Sequence, residues 1–429
     1  MHWRYELRKQ QLLDECVIDP EISRGSLERL AEFAQPFAAC LARQEQRDHV
    51  RTYLAGLVSD LKRKNTEAIA YRHDQGRHGL QHFVGSSTWD HRPLIHELAC
   101  QVGRELGTPE GVLVFDPSGF AKKGTASVGV QRQWLGRLGK VDNGQVGVFL
   151  GYAAPRAHAL VDVRLYLPQS WAKDRLRRKR CGVPKAVRYR TRHELALEML
   201  RETGPLLPHG WISGDDEMGR SSRFRAELRR LGERYVLAVP SHTTIRDLDG
   251  AVPEPGARGP HPKRAFEQVR AWAQALSPGA WRRIEVGEGE RGPVIVEVTG
   301  TRVVARTDRG RIGPEELLVV VRSRDESGAA KYDYHLSSAP PETAPGVLVR
   351  VIQAGHRIEE CLQRGKSEAG LADYQVRTWS GWYHHQALSL IAAWFLVQET
   401  RRGEKADAGV DAAAGAGGVG RAAPCRVRV

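Results

Sequence analysis

The stretch that most constrains this chain is residues 111–152, GVLVFDPSGFAKKGTASVGVQRQWLGRLGKVDNGQVGVFLGY. Its apolar run Val112, Leu113, Val114, Phe115 is too short for a core helix and breaks at Asp116, with Pro117 and Gly119 close behind. Such a run predicts a buried strand that carries one carboxylate to its tip. A second strand is expected over 146–152, after a polar, Gly-rich segment. Aspartate before proline is also ordinary turn chemistry. Position alone therefore leaves Asp116 balanced between a turn cap and a functional acid.

At 429 residues the chain exceeds what one core usually serves, so two or three domains are expected. An apolar content of 41% and a charged content of 27% are ordinary for a globular protein. The net charge of +14 and the pI near 9.7 are not. That Arg-led excess implies a polyanionic partner, nucleic acid first and an anionic membrane surface second. No apolar run approaches bilayer length, and the amino terminus MHWRYELRKQ lacks an apolar signal core, so a cytoplasmic protein is expected. Cys16, Cys40, Cys100, Cys181, Cys361 and Cys425 stand singly, without zinc-type spacing, which argues against a disulfide framework or a zinc site. The adjacent His384 and His385, beside Trp382 and Tyr383, are expected to pack rather than to ligate.

Residues 1–105 read as a helical amino-terminal domain. Val50, Leu54, Leu57, Val58 and Leu61 fall on one helical face, with Arg51, Lys62, Arg63 and Lys64 on the other. Helix, a turn at Gly76 and Gly79, then helix suits a DNA-binding unit, although this segment taken alone favours a plain bundle with a solvated charged face. Residues 106–240 follow the order β-β-β-α-β-α-β, that of a ribonuclease-H-like α/β core. In that topology the first and fourth strands are neighbours, so Asp116 meets Asp215 across 99 positions, and paired carboxylates suit a hard cation. Within this core, residues 173–192 hold ten Lys or Arg and one acid, without the sustained apolar face of a core helix, and so read as a surface loop that either connects or grips phosphate.

Residues 241–345 read as a β-rich insertion with one helix at 264–276, returning to the core edge at 331–337. Residues 346–400 supply the final core helices. The Gly/Ala-rich 401–429 is expected to be disordered. The expected fold is thus α/β, a ribonuclease-H-like mixed sheet with flanking helices, preceded by a helical domain and interrupted by the insertion.

Glu359 and Lys366 lie seven positions apart on the predicted helix 347–371, almost two turns, so they share a face. They form either a solvated charge pair or a third acid with a phosphate-binding lysine beside the two strand-borne aspartates. Asp216 and Glu360 stand in reserve for Asp215 and Glu359, because adjacent residues cannot both face one site.

With these acids placed, FDPSGFAKKG, SVGVQRQWLGRLGKVDNGQVGVFLGY, SGDDEMG and IEECLQRGKSEAGLADYQVRTWSGWYHHQALSL together resemble a bacterial insertion-sequence transposase of the DDE superfamily endonuclease group, in the branch with a β insertion before the final Glu. The resemblance spans residues 47–398. It implies a metal-dependent enzyme that cuts at insertion-sequence ends and joins the 3′-hydroxyl to target DNA by two-metal-ion phosphoryl transfer. Asp116, Asp215 and Glu359 would be the metal-binding catalytic triad and Lys366 its basic partner. The implied cofactor is Mg²⁺, with Mn²⁺ as the substitute. The implied partner is double-stranded DNA, both element ends and target, bound by a nucleoid-associated homodimer with no membrane role. Two positions depart from the family's Tyr–Arg–Glu–Lys signature: its Tyr falls on Ile352 and its Arg on Gly355, with Arg357 the nearest replacement. Two alternatives use the same residues: a catalytically impaired DNA-binding derivative of a transposase, and a nuclease that cuts without joining.

Overall fold

The structure, a computed structural model, describes residues 20–251, 264–289, 292–324 and 328–414. The chain begins with helices α1 (Pro20–Ala39), α2 (Gln44–Leu57), α3 (Thr66–Arg72), α4 (Arg77–Gly85) and α5 (Arg92–Leu106). Next come β1 (Val112–Ala121), β2 (Gln131–Leu135), β3 (Lys140–Ala153) and β4 (His158–Leu165). Short helices α6 (Gln169–Lys173) and α7 (Arg175–Arg180) lead to α8 (Arg192–Glu202), β5 (Trp211–Gly214), α9 (Asp216–Arg220), α10 (Ser222–Arg230) and β6 (Tyr235–Ala238). The remaining elements are β7 (Thr244–Asp247), β8 (Glu267–Gln268), α11 (Val269–Gln274), β9 (Arg282–Gly289), β10 (Gly292–Arg306), β11 (Ile312–Arg324), β12 (Ala330–Ser337), α12 (Pro345–Glu368) and α13 (Trp379–Ala414).

Strands β1, β3 and β4 form an antiparallel meander, and β5 then pairs parallel to β1 with Val112 opposite Trp211 and Phe115 opposite Gly214. Strand β6 continues parallel to β5. The order β4-β3-β1-β5-β6 is the ribonuclease-H-like arrangement expected from the sequence. A parallel neighbour requires a crossover, which α8 supplies, and both strands are buried on both faces, as the unbroken apolar runs foretold.

The insertion does not form a separate sheet. Strand β12 pairs antiparallel with β6, and β11, β10, β7 and β8 extend outward from it, giving one mixed sheet of twelve strands. Alternation along β11 divides its two faces between two cores. Leu317, Val319 and Val321 join the main core, whereas Leu318 and Val320 join a smaller one with Ile245, Trp272, Val303 and Leu336.

Several expectations need correction. Strand β1 does not stop at Asp116 but continues through Pro117 to Ala121. Proline is tolerated because the pairing with β5 ends at Phe115, leaving that edge of β1 open where a donor would be missing. The insertion helix is limited to Val269–Gln274. Helix α13 runs on to Ala414 where a disordered tail was expected, because Arg, Glu, Lys and Ala readily extend a helix that is already nucleated. Residues 415–429 lie outside the described residues, as do Cys16 and Cys425. The amino-terminal helices also lack a core of their own: Leu54, Phe83 and Leu98 belong to the same apolar cluster as Phe115, Leu388 and Trp394. The histidine pair seals this junction, since the buried His384 stacks on Trp89 at 3.7 Å and His385 Nδ1 lies 2.9 Å from the Tyr53 hydroxyl.

Cys40, Cys100, Cys181 and Cys361 are free thiols. Among the described residues no helix is long and apolar enough to cross a membrane.

Much of the basic segment 173–192 is used internally. Arg177 donates to the Thr125 carbonyl (2.9 Å), Arg178 to that of Val187 (2.7 Å), and Arg190 pairs with Glu198 (2.6 Å).

Insertion and core are joined by a buried ion pair, Arg225 of α10 with Glu316 of β11 (2.8 Å), while the Tyr235 hydroxyl donates to the same carboxylate at 2.6 Å. Removing one member of a buried pair leaves an uncompensated charge and costs about 3–5 kcal/mol. Arg225→Ala is expected to destabilise the protein by that amount in urea denaturation. Adding Glu316→Gln, which removes the orphaned charge but still accepts from Tyr235, should recover part of the lost stability.

Candidate active site

The site begins at the end of the β1–β5 pairing. Because Phe115 is opposite Gly214, the next residues on the two neighbouring strands are Asp116 and Asp215. Asp215 leaves the strand as the N-cap of α9, its Oδ1 accepting from the Met218 N–H at 2.9 Å. Asp216 pairs with Arg220 (3.2 Å) and lines the second of the two clefts described below, not the first. Strand alternation places Asp116, Ser118 and Phe120 on one face, the face covered by α12. From that helix the Lys366 amino group donates to Ser118 Oγ at 2.7 Å and lies 5.1 Å from the centre of the Phe120 ring.

Asp116, Asp215, Glu359 and Lys366 all line one cleft of about 530 Å³. A second cleft of about 500 Å³ shares the same three acids and adds Lys331, Tyr332, Asp333, Gly355 and His356. Glu360 lines neither. The first cleft is closed at one end by Gly136, in the turn between β2 and β3. Glycine at 119 lets this hairpin approach, because a Cβ there would stand 2.7 Å from Leu135 Cδ2.

The electrostatics are those of crowded, desolvated acids. Burial, reinforced by the charge of Glu359 and opposed by Lys366, pushes the Asp116 carboxyl up to about 6. Burial and the charge of Asp116, opposed by the Met218 N–H, push Asp215 up to about 8. Glu217 raises both further and is itself held by Arg192 at 2.5 Å.

The acids share a cleft but do not close into a cage. Among the described residues no group of three His, Cys, Asp or Glu side chains lies close enough together to hold a metal ion. Glu359 is 64% exposed and reaches toward His356 (4.0 Å), the separation that like-charge repulsion favours. The oxygen donor set, with two buried carboxylates whose pKa values are raised by burial and by neighbouring acids, nevertheless suits a hard divalent cation.

A sequence profile described as DDE superfamily endonuclease matches residues 36–293. This chain belongs to that family. The match contains Asp116 and Asp215 but ends before Glu359 and Lys366. The chain is also 29% identical over 245 residues to the "Probable transposase for insertion sequence element IS701" of Microchaete diplosiphon, a stretch covering 54% of this chain and 59% of that relative. Among solved structures, the piggyBac transposase synaptic complex with hairpin DNA superposes with a TM-score of 0.40 at 10% identity, over 91% of this chain and 77% of that one.

Both departures from the family signature, Ile352 and Gly355, line the second cleft. Arg357 does not replace the missing arginine, because its guanidinium donates to the Ala154 and Pro155 carbonyls at 3.2 and 2.9 Å. Sequence reasoning missed Ser118, Glu217 and His356. Ser118 was detectable, being two residues beyond Asp116 on the same strand. His356 was detectable too, one helical turn before Glu359, whereas Glu217 acts through contacts with other elements, such as that with Arg192.

A carboxyl whose folded pKa is raised binds more protons folded than unfolded, so its ionisation removes stability as pH rises from the unfolded value toward the folded one. For Asp215 that window runs from its ordinary value of 3.8 to about 8. Asp215→Asn retains a good N-cap. Without divalent ions it should melt higher than wild type at pH 8, by several degrees, and the difference should shrink toward pH 4. Calorimetric scans across this range check the sign.

Proposed function

We propose that the protein is a DNA transposase that cleaves at the ends of its insertion sequence and joins the liberated 3′-hydroxyl to target DNA. The observation that carries this reading is the pair of buried carboxylates on neighbouring strands, next to Lys366, in a site shared by two clefts. Such a site accommodates a polymer that enters and leaves on different sides, rather than a small molecule enclosed in a pocket.

Asp116 and Asp215 would hold divalent ions, Mg²⁺ in the cell with Mn²⁺ as substitute, and Glu359 would complete the set by turning from His356. Bound there, the ions supply an activated nucleophile and neutralise charge at the leaving oxygen. Lys366, oriented by Ser118, faces the cleft to contact a non-bridging phosphate oxygen. The buried floor made by Phe115, Ile212 and Met218 excludes water from behind the two aspartates. Because ligation requires deprotonated acids, ion affinity should rise with pH through the range in which Asp116 and Asp215 titrate. The amino-terminal helices and the net charge of +14 support binding of double-stranded element ends and target, by a homodimer.

A second reading, a DNA-binding derivative impaired in catalysis, is favoured by one specific feature: Gly355 and Ile352 stand where the family places phosphate-binding side chains, and Arg357 points elsewhere.

Asp116→Asn is expected to lower Mg²⁺-dependent nicking of element ends by about a thousandfold or more, corresponding to several kcal/mol of lost charge stabilisation. End binding should change little; loss of both together would point to misfolding. A joined product in the wild-type reaction separates a transposase from a nuclease that only cuts. Gly355 has room for a larger residue, since only Ser213 Oγ comes within 4 Å of an added Cβ, at 3.8 Å. Gly355→Arg should therefore tighten DNA binding by about tenfold through a charge-assisted phosphate contact, measured by filter binding.

A further inference from the structure

A cleft of about 580 Å³ lies where the turn between β10 and β11 meets the start of α10, outside the carboxylate site. Its floor holds Arg225 and Glu316, which are already paired with each other. Its rim carries Arg223, Arg309 and Arg311 against a single further carboxylate, Asp308. Asp308 has a structural role: the Ser222 N–H donates to its Oδ1 and its own N–H donates to Ser222 Oγ, both at 3.2 Å, fastening the turn to the helix.

The turn is also braced internally. Thr307 N–H donates to the Arg311 carbonyl and Gly310 N–H to that of Thr307, both at 2.8 Å, with Gly310 in the left-handed region at φ 70°. Arg309 and Arg311 are thus presented from a fixed frame. Both are exposed, and neither guanidinium has a hydrogen-bonded or ion-paired partner among the described residues. Arg223 is partly answered by Glu194 and Glu227, whose carboxyls its charge helps to lower. Two unanswered guanidiniums at a walled cleft favour an anion with several oxygen acceptors, and the planar fork suits phosphate.

The position of the cleft narrows the source of that phosphate. Ser222 is joined to Asp215 by α9, seven residues along the chain, which reach at most about 25 Å even if fully extended. Along one DNA strand that is about seven nucleotides at 3.4 Å each. We propose that the arginine cleft grips a backbone phosphate of the same duplex whose scissile bond lies at the carboxylates, within about seven nucleotides of the cut. The inference rests on the transposase reading above. It makes the insertion part of the DNA-binding surface, with its outer turn bracing the duplex against the core.

The test uses the full chain with duplexes carrying the element's own ends. Arg309→Gln with Arg311→Gln should reduce the slope of log affinity against log salt by about one, for the one phosphate no longer neutralised. Affinity should fall about tenfold or more, equally for specific and unrelated sequences. Neutral methylphosphonate substitution, scanned along the strand, should weaken wild-type binding at one or two positions within seven nucleotides of the cut and be silent there in the variant. An unchanged melting temperature would show that the variant is folded. If wild type binds and cuts DNA while the variant keeps the same slope and the same methylphosphonate pattern, the cleft proposal fails alone. If wild type neither binds nor cuts, the transposase reading fails and the cleft proposal with it. If inorganic phosphate stabilises wild type but not the variant while the DNA slope is unchanged, the cleft is a small-anion site and the duplex assignment is overturned.

Discussion

The architecture depends on four residue pairs, the parallel ladder that joins Val112–Phe115 of β1 to Trp211–Gly214 of β5. It is short because β5 is short, and its end defines the site. Up to Phe115 and Gly214 both backbones are paired and both faces are buried. One residue later the chains diverge, β1 continuing along β3 while β5 turns into α9. Carboxylates placed at that divergence are close enough for Asp116 to raise the pKa of Asp215, yet open to two clefts on the α12 side. A one-residue slip of β1 would turn Asp116 to the opposite face, where Phe115 packs against Phe224, so the apolar pattern of both strands fixes the chemistry as well as the fold.

The same dependence explains what could be read from the sequence. The runs at 112–115 and 211–214 are short, apolar and bounded by acids, and an intervening helix obliges them to be parallel. Their partnership therefore follows from pattern and topology without any tertiary information. Glu359 and Lys366 were accessible for a similar reason, since a separation of seven fixes their common face on α12 whatever that helix packs against. What escaped depends on edges and neighbours. Nothing in DPSGF announces that β1 runs on through Pro117, because that requires knowing where β5 stops. Nothing in the amino-terminal helices announces that their apolar faces close over His384 and His385, because the complementary surface lies some 300 residues away. The Arg-rich segment shows the opposite limit: composition reports charge, but not that Arg177 and Arg178 already serve backbone carbonyls.

The insertion differs from a domain appended through a flexible linker. Because β12 pairs with β6, the twist of the core sheet is carried directly into β11 and β10. The Arg225–Glu316 pair and the Tyr235 hydroxyl lock the same junction from one face. Lys331, Tyr332 and Asp333, at the start of β12, form a wall of the second cleft as a consequence. The position of the insertion is therefore coupled to the carboxylates through a continuous ladder of backbone hydrogen bonds.

Charge imposes the last constraint. Over the whole molecule the excess of +14 draws a polyanion in from a distance. At the cleft the sign reverses: Asp116, Asp215 and Glu359 share their lining with Lys366, the one lysine or arginine there among the described residues. On the proposed transposase reading, a phosphodiester arriving there would meet like charge in a poorly solvated setting, where such repulsion is least screened. One ammonium group does not offset three carboxylates and a phosphate, and protonating the aspartates would remove the bases that the chemistry needs. The economical resolution is for mobile positive charge to enter together with the substrate and be held between the two.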